Sequence, residues 1–267
     1  MSNTKTMNQK TIMEATIKDI KEFHTFTTLL QSINKEVTFK CRSDKIKIQV
    51  TGPAMQSYIR SELEKDFFAE YSCTEDVDIF LCMPIFNSVL KKAIRGEEVK
   101  FTTDGESLTF YFGSRLSFNI KLMTLTDESE LEIPDLEYDV STMLNPHVLK
   151  EWNSHIVDMT KGDVTFSFNT KEPDTMETDD DIMVLTSQGE LLSVKKDEKL
   201  VFNIKKDNVK PVTLGNPNMK TITSLSQFNK DICMCFNAEY PIEFSFELNE
   251  HATVTCWFAQ CLMDEDF

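Results

Sequence analysis

The stretch Thr124–Glu137, TLTDESELEIPDLE, decides how this chain is read, because the sequence on its two sides says the same thing twice. Residues 13–123 and 138–267 each run as strand, helix, short strands, helix and strands. A unit of roughly 120 residues is far too long for a solenoid repeat, so each half is expected to be a domain with its own core. The joining segment, 124–137, is acidic and bears a proline, yet it holds Leu131, Ile133 and Pro134. A plain spacer needs no such apolar trio: either these side chains pack on the protein or they are presented to a partner. Two similar domains in tandem point to a symmetric assembly, which favours a scaffold over a single catalytic cleft.

Outward from that segment, strand signals dominate. Val37–Cys41, Lys45–Val50, Val99–Thr103 and Ser107–Phe112 alternate or cluster β-branched and aromatic residues, and turns such as Ser43-Asp44, Asp104-Gly105 and Gln188-Gly189 separate them. Four stretches carry helical period instead. Asp19–Lys35 sets Phe23, Phe26, Leu30 and Ile33 on one stripe. Pro84–Arg95 opens on proline and aligns Ile85, Val89 and Ala93, with Phe86 and Leu90 beside them. Pro146–Thr160 repeats the idea with Leu149, Trp152, Ile156 and Met159. Pro217–Lys230, with Asn216 as the expected N-cap, carries Met219, Ile222, Leu225 and Phe228 or Asn229. Two helices among about nine strands in each half give an α+β class, with helices covering one face of antiparallel sheets.

The charge balance, 28 Lys and Arg against 44 Asp and Glu for a net −16, argues against a nucleic-acid binder that uses its whole surface. Placement matters more than the total. Lys21 lies on the first helix, Lys91, Lys92 and Arg95 on the second, Lys150 on the third, Lys220 and Lys230 on the fourth. Taken singly, these are the solvated faces of amphipathic helices. If all four helices line one surface, they converge into a basic stripe that holds phosphate without reading bases. Glu172–Asp181 (EPDTMETDDD) reads as an acidic solvent loop.

Seven cysteines without CxxC spacing read as free thiols of a reducing compartment. Cys233 and Cys235 share one strand face, but packing is the preferred reading and no metal site is assigned. No apolar run approaches the ~18 residues of a membrane span, and residues 1–12 read as a flexible extension rather than a secretory signal. There is no P-loop, GxGxxG, GxSxG or HExxH, and His24, His147, His155 and His251 lack nucleophile or metal partners in sequence. No catalytic residue or cofactor is assigned, and a β-rich hydrolase with an acidic cleft finds no constellation to support it.

Over residues 13–267 the chain resembles the proliferating cell nuclear antigen (PCNA) type of DNA sliding clamp. The resemblance rests on Met13–Ile17 (MEATI), Phe67–Cys73 (FFAEYSC), Ile79–Lys92, Ile120–Tyr138 (IKLMTLTDESELEIPDLEY), Glu239–Leu248 (EYPIEFSFEL) and Thr255–Phe267, in that order and spacing. It implies a non-enzymatic homotrimeric ring with helices lining a central hole around duplex DNA. A loader closes such a ring, and DNA polymerase and other proteins carrying clamp-binding peptides are tethered to it. The heterotrimeric checkpoint-type clamp is the alternative. Membranes are not expected partners, and the nucleus, or a viral replication site, is the expected location.

The resemblance also implies site residues. The DNA-facing set is Lys21, His24, Lys91, Lys92, Arg95, Lys150, Lys220 and Lys230, with several of the family's basic positions falling on neutral or acidic residues here. The partner-peptide pocket takes Thr51, Met55 and Tyr58 from the first domain and Leu131, Ile133 and Pro134 from the 124–137 loop. From the second domain it takes Pro241, Trp257, Ala259, Gln260 and Leu262. Thr51 and Gln260 depart from the family's methionine and proline. The subunit interface is expected between the edge strand Arg115–Lys121, with Phe118 at the family's aromatic position, and Leu191–Lys195, with Leu191 and Val194 facing it.

Overall fold

The structure, a computed structural model, describes residues 10–261 apart from 95, 125–130, 135, 170–181 and 206–208. Strands form where the sequence alternates. KIKIQVT at β3 (Lys45–Thr51) buries Ile46, Ile48 and Val50 and turns Lys47, Gln49 and Thr51 to the other face. The expected segments at 37–41, 45–50, 99–103 and 107–112 are all strands, within a residue of their expected ends.

Three antiparallel sheets contain the described strands. One runs β5 (Glu70–Cys73), β1 (Met13–Ile17), β7 (Val99–Thr103), β8 (Ser107–Phe112), β9 (Leu116–Lys121). The largest runs β14 (Phe202–Ile204), β10 (Val140–Leu144), β16 (Ile232–Phe236), β17 (Ile242–Asn249), β18 (Ala252–Phe258), β4 (Ser57–Glu64), β3, β2 (Glu36–Cys41), β6 (Val77–Cys82). The third runs β13 (Ser193–Lys199), β12 (Ile182–Gln188), β11 (Val164–Asn169), β15 (Val212–Leu214). Adding nine to each strand number of the first half reproduces the order of the second. β5-β1-β7-β8-β9 becomes β14-β10-β16-β17-β18, and β4-β3-β2-β6 becomes β13-β12-β11-β15. The duplication read from sequence is therefore a duplication of topology.

The four expected helices are present, but two end earlier than expected. The second stops at Leu90, with Lys91 as its C-cap and Lys92 beyond it, rather than running to Arg95, and the fourth stops at Phe228, short of Lys230. α1 (Ile20–Ile33) is capped by Asp19, whose Oδ1 accepts from the N–H groups of Lys21 and Glu22, and Phe23, Phe26, Leu30 and Ile33 are buried as expected. α2 (Met83–Leu90) buries Met83, Phe86, Val89 and Leu90. α3 (Pro146–Trp152) continues through a π turn (Asn153–Val157) into the single turn α4 (Asp158–Thr160). α5 (Asn216–Ser224) runs into a 3₁₀ turn at Leu225–Phe228. They pack side by side in the order α2, α1, α5, α3, so the helices of both halves form one layer over the sheets.

Four expectations need correction. Ile85 is 50% exposed, because the buried stripe of α2 starts at Met83 and continues through Phe86 and Leu90, which leaves Ile85 off that face. Met159 is 58% exposed: the wider π turn delays the helix by one position, and Thr160 takes the buried place with Ser187 Oγ at 2.7 Å. Asn216 is not the cap of α5; Gly215 is, and Asp163 Oδ1 accepts from the Asn216 N–H at 3.2 Å while the Asn216 amide donates to the carbonyls of Val157 and Gly162. Nor does each half keep a separate core. The Phe39–Phe86–Phe110 cluster of the first half and the Trp152–Phe166 pair of the second belong to one contiguous cluster of buried side chains, since β18 pairs along β4 and α1 packs on α5.

Candidate functional site

On the helix layer Lys21, Lys91, Lys92, Lys150 and Lys220 are exposed, and the helix packing brings them to one side of the molecule. His24 is half-buried beside Lys91; burial first, then the neighbouring ammonium, lowers its pKa and favours the neutral ring. Lys230 reaches Glu22 on α1 with Nζ 2.8 Å from Oε1, so its charge ties the end of the fourth helical stretch to the first. Glu151, on α3, is held below the usual carboxylate range by the hydrogen bond and charge of Lys196. Arg95 lies outside the described residues. The basic face is therefore thinner than a count of lysines suggests. Glu22 was not singled out in sequence; what marks it is its ion pair with Lys230, a contact across the chain that no local spacing signals.

On the opposite face of the large sheet, the alternation of β3 and β4 sets Thr51 beside Tyr58, and Tyr58 beside Trp257 of β18. The Tyr58 and Trp257 rings lie 5.5 Å apart, and Trp257 Nε1 donates to Glu243 at 3.1 Å. Thr51, Met55, Tyr58 and Leu131 line one cavity of about 360 Å³. Leu131 also borders a second, of about 310 Å³, where Ile133 sits over Lys47, Gln49 and Arg60. Met55 is 73% exposed and Leu131 42% exposed, large apolar side chains left facing solvent at the mouth. Pro134 is exposed; Pro241 accepts from the Tyr138 hydroxyl at 3.3 Å. Ala259 N–H donates to Gln56 O at 2.8 Å, which fixes the end of β18 against the β3–β4 turn. Gln260 turns inward and donates to the carbonyls of Asn237 and Tyr240. Leu262 lies outside the described residues. The structure thus gathers Thr51, Met55, Tyr58, Leu131 and Trp257 closely, with Ile133 in the adjoining depression. Gln49 and Arg60 join them unforeseen, although the alternation of KIKIQVT carries the signal for Gln49.

Two strand edges complete the picture. β9 and β13 are outermost in their sheets, yet the strands that occupy their places in the duplicated order, β18 and β4, pair with each other. The difference shows in burial. Val254, Cys256 and Phe258 of β18 are fully buried, whereas Leu116, Phe118 and Ile120, at the matching positions of β9, remain half-buried. On the other edge Val194 is half-buried, where its β4 counterpart Ile59 is fully buried, and Leu191 in the β12–β13 turn is 99% exposed. Arg115 lies just before β9 and pairs with Glu97 at 3.0 Å, and Lys121 ends the strand, exposed.

No protein-family model matches the chain. A DNA polymerase sliding clamp of Thermoplasma acidophilum is 30% identical over 124 residues, 46% of this chain and 48% of that protein, so the chain spans about half the length of this relative in the match. DNA polymerase sliding clamp 1 of Thermococcus kodakarensis is 22% identical over 91% of this chain and 95% of its own. Among solved structures, a proliferating cellular nuclear antigen of Entamoeba histolytica superposes with a TM-score of 0.82 at 16% identity, covering 95% of this chain and 100% of that one. A PCNA2–PCNA3 complex of Sulfolobus tokodaii gives 0.77 at 14% identity, covering 92% and 98%.

Proposed function

We propose that this chain, which has the fold of the PCNA-type sliding clamps and resembles them in sequence, is itself a clamp subunit, three copies of which close head to tail around duplex DNA. The observation that carries the reading is the pair of edges β9 and β13, unpaired among the described residues, whose counterparts β18 and β4 join the two halves within the chain. A chain that already makes the joint once, and keeps both of its surfaces free, is built to make it again with a second copy; repetition of a head-to-tail contact closes a ring when the rotation permits.

Carrying the β18–β4 register onto these edges sets Phe118 opposite Val194, Ile120 opposite Leu192, and Arg115 opposite Asp197 of the next copy. The half-buried apolar row of β9 is then covered, and the guanidinium of Arg115 gains a carboxylate. The helix layer turns its exposed lysines to the hole. Contacts of this kind hold phosphate by counterion release, weakly and without sequence preference, which suits sliding. On the outer face the cavity at Thr51, Met55, Tyr58 and Leu131 receives an apolar segment of a polymerase, a clamp loader or another replication protein, wherever replication takes place, nucleus or viral site. The protein works by tethering, with no reaction of its own.

Solution mass by size exclusion with light scattering tests the ring. Three chains per particle is the expected result. A monomer that persists at tens of micromolar would sink the homotrimer and favour a ring built with other subunits.

A further inference from the structure

The two cavities of the outer sheet face differ in chemistry. The first takes its apolar character from Met55, Tyr58 and Leu131, with Glu36 and Lys40 among its polar neighbours. The second sets Leu131 and Ile133 against Lys47, Gln49 and Arg60. Strand register makes them adjacent. Thr51 lies opposite Tyr58, Gln49 opposite Arg60 and Lys47 opposite Glu62, so the three pairs follow one another along the same face. The step from Tyr58 to Arg60 is two residues of strand, about 6.6 Å. Leu131 borders both cavities and Ile133 only the second, so the joining segment itself passes from one to the other.

Charge here runs against that of the chain. Lys45, Lys47 and Arg60 surround one carboxylate, Glu62, which accepts from Lys45 at 2.7 Å and from Arg60 at 3.0 Å. Glu132, on the rim of the second cavity, is exposed and pairs with none of them among the described residues. Arg60 gives Glu62 one nitrogen and its side chain is 46% exposed, which leaves the rest of its fork open to a second acceptor. Lys47 is half-buried and makes no ion pair among the described residues. A chain of net charge −16 thus keeps two cations in a depression roofed by apolar side chains.

We propose that Lys47 and Arg60 select partner peptides that carry an aspartate or glutamate two residues from their apolar anchor. The inference rests on the reading of the outer-face cavity as a peptide site and adds the chemistry its partner must bring. The anchor packs against Met55, Tyr58 and Leu131. Two residues of extended peptide span about 6.6 Å and return a side chain to the same side, which matches the Tyr58-to-Arg60 step. The carboxylate then accepts from the guanidinium N–H groups that Glu62 leaves open, with the Lys47 ammonium beside it. Leu131 and Ile133 cover the pair, and the lower local dielectric strengthens it. A nucleic-acid strand would bring phosphates without an apolar anchor, so it would use only half of this surface.

The test measures binding of a positional set of labelled peptides to the full-length chain by fluorescence anisotropy. Each peptide has Leu, Met or Phe fixed at its centre and Glu, Gln or Lys two residues to one side or the other. On one side the Glu peptide should bind about fivefold more tightly than its Gln twin, the scale of a partly solvated ion pair, and the Lys peptide more weakly than either. Lys47→Glu with Arg60→Glu should reverse that order, which a merely structural effect of the substitutions would not do. Binding that ignores the peptide's charge overturns this inference and leaves the peptide cavity standing. Binding of no peptide in the set overturns the cavity reading and this one with it. If the double variant instead weakens binding of a labelled oligonucleotide and leaves the peptide order unchanged, the cations serve phosphate and the proposal falls. The Glu-to-Gln comparison needs only the unaltered chain, so it decides the matter even if the variant fails to fold.

Discussion

Trp152 is fully buried and donates through Nε1 to Glu198 at 3.0 Å, and Glu198, only 7% exposed, is paired with Lys196, which also reaches Glu151 at 3.1 Å. The matching positions of β4, Ser61 and Leu63, are uncharged. A buried pair of this kind contributes little net stability while it is whole and costs heavily when half of it is removed. Lys196→Met should destabilise the chain by about 3–5 kcal/mol in urea unfolding, and adding Glu198→Gln, which keeps an acceptor for Trp152, should recover most of that loss. At Glu62, burial pushes the carboxyl up, but hydrogen bonds from Lys45 and Arg60 outweigh it and hold the pKa below its usual value. A carboxylate depressed on folding stabilises above its unfolded pKa, and that stability is lost as pH falls through the folded value. Lys45→Met should therefore lower stability at pH 7 by about 0.2–1 kcal/mol, the scale of a partly solvated pair, with the gap to the parent closing as the pH falls toward 3. Thermal melts at several pH values check it.

Among the elements, the π turn and the edge strands show best what periodicity carries and what it does not. The stripe Phe23, Phe26, Leu30, Ile33 is legible because an unbroken α-helix repeats every 3.6 residues. In α3 the same logic holds through Trp152 and Ile156, then fails at Met159. The π turn is stabilised by contacts such as Thr160 with Ser187, and these lie far apart in the chain. β9 illustrates the reverse. Its alternation, Leu116, Phe118 and Ile120 in, Ser117, Asn119 and Lys121 out, reads as an ordinary half-buried strand; only the family resemblance, and not the strand's own pattern, marked it as an edge. Because Phe118 is only half-buried in the single chain, Phe118→Glu should leave the melting of the monomer within about 1 kcal/mol while abolishing the proposed three-chain species. Loss of folding together with assembly would show instead that Phe118 serves the core, as its contact with Phe112 at 5.9 Å allows.

At the scale of the whole molecule, the acidic body and thin basic face set how strongly the proposed clamp would bind DNA. Net charge is −16, and Lys230 is occupied by Glu22, so among the described residues of the helix layer the exposed positive charge lies on Lys21, Lys91, Lys92, Lys150 and Lys220. Affinity for duplex DNA should be low and steeply dependent on salt. Lys91→Gln with Lys92→Gln should weaken it and reduce the slope of log K against log salt by about 0.9 for each phosphate no longer neutralised. Fluorescence anisotropy of a labelled duplex at several salt concentrations measures both quantities. An unchanged slope would place the DNA-binding surface elsewhere.

The sequence by itself determined the duplication, the α+β class, the four helices and the alternating strands, because these rest on local periodicity and on turn chemistry, which neighbouring residues decide among themselves. It also carried the apolar residues of the outer-face cavity, Leu131 and Ile133, as an anomaly in an acidic segment. Only the tertiary structure decided that the two cores are one, that among the described residues nothing pairs with the outer edges of β9 and β13, that Glu22 takes the charge of Lys230, and that the Cys233 and Cys235 sulfurs meet at 3.6 Å. Each of these depends on which segments lie side by side across distances along the chain that no local pattern records, and on which charges and edges that arrangement leaves unmatched.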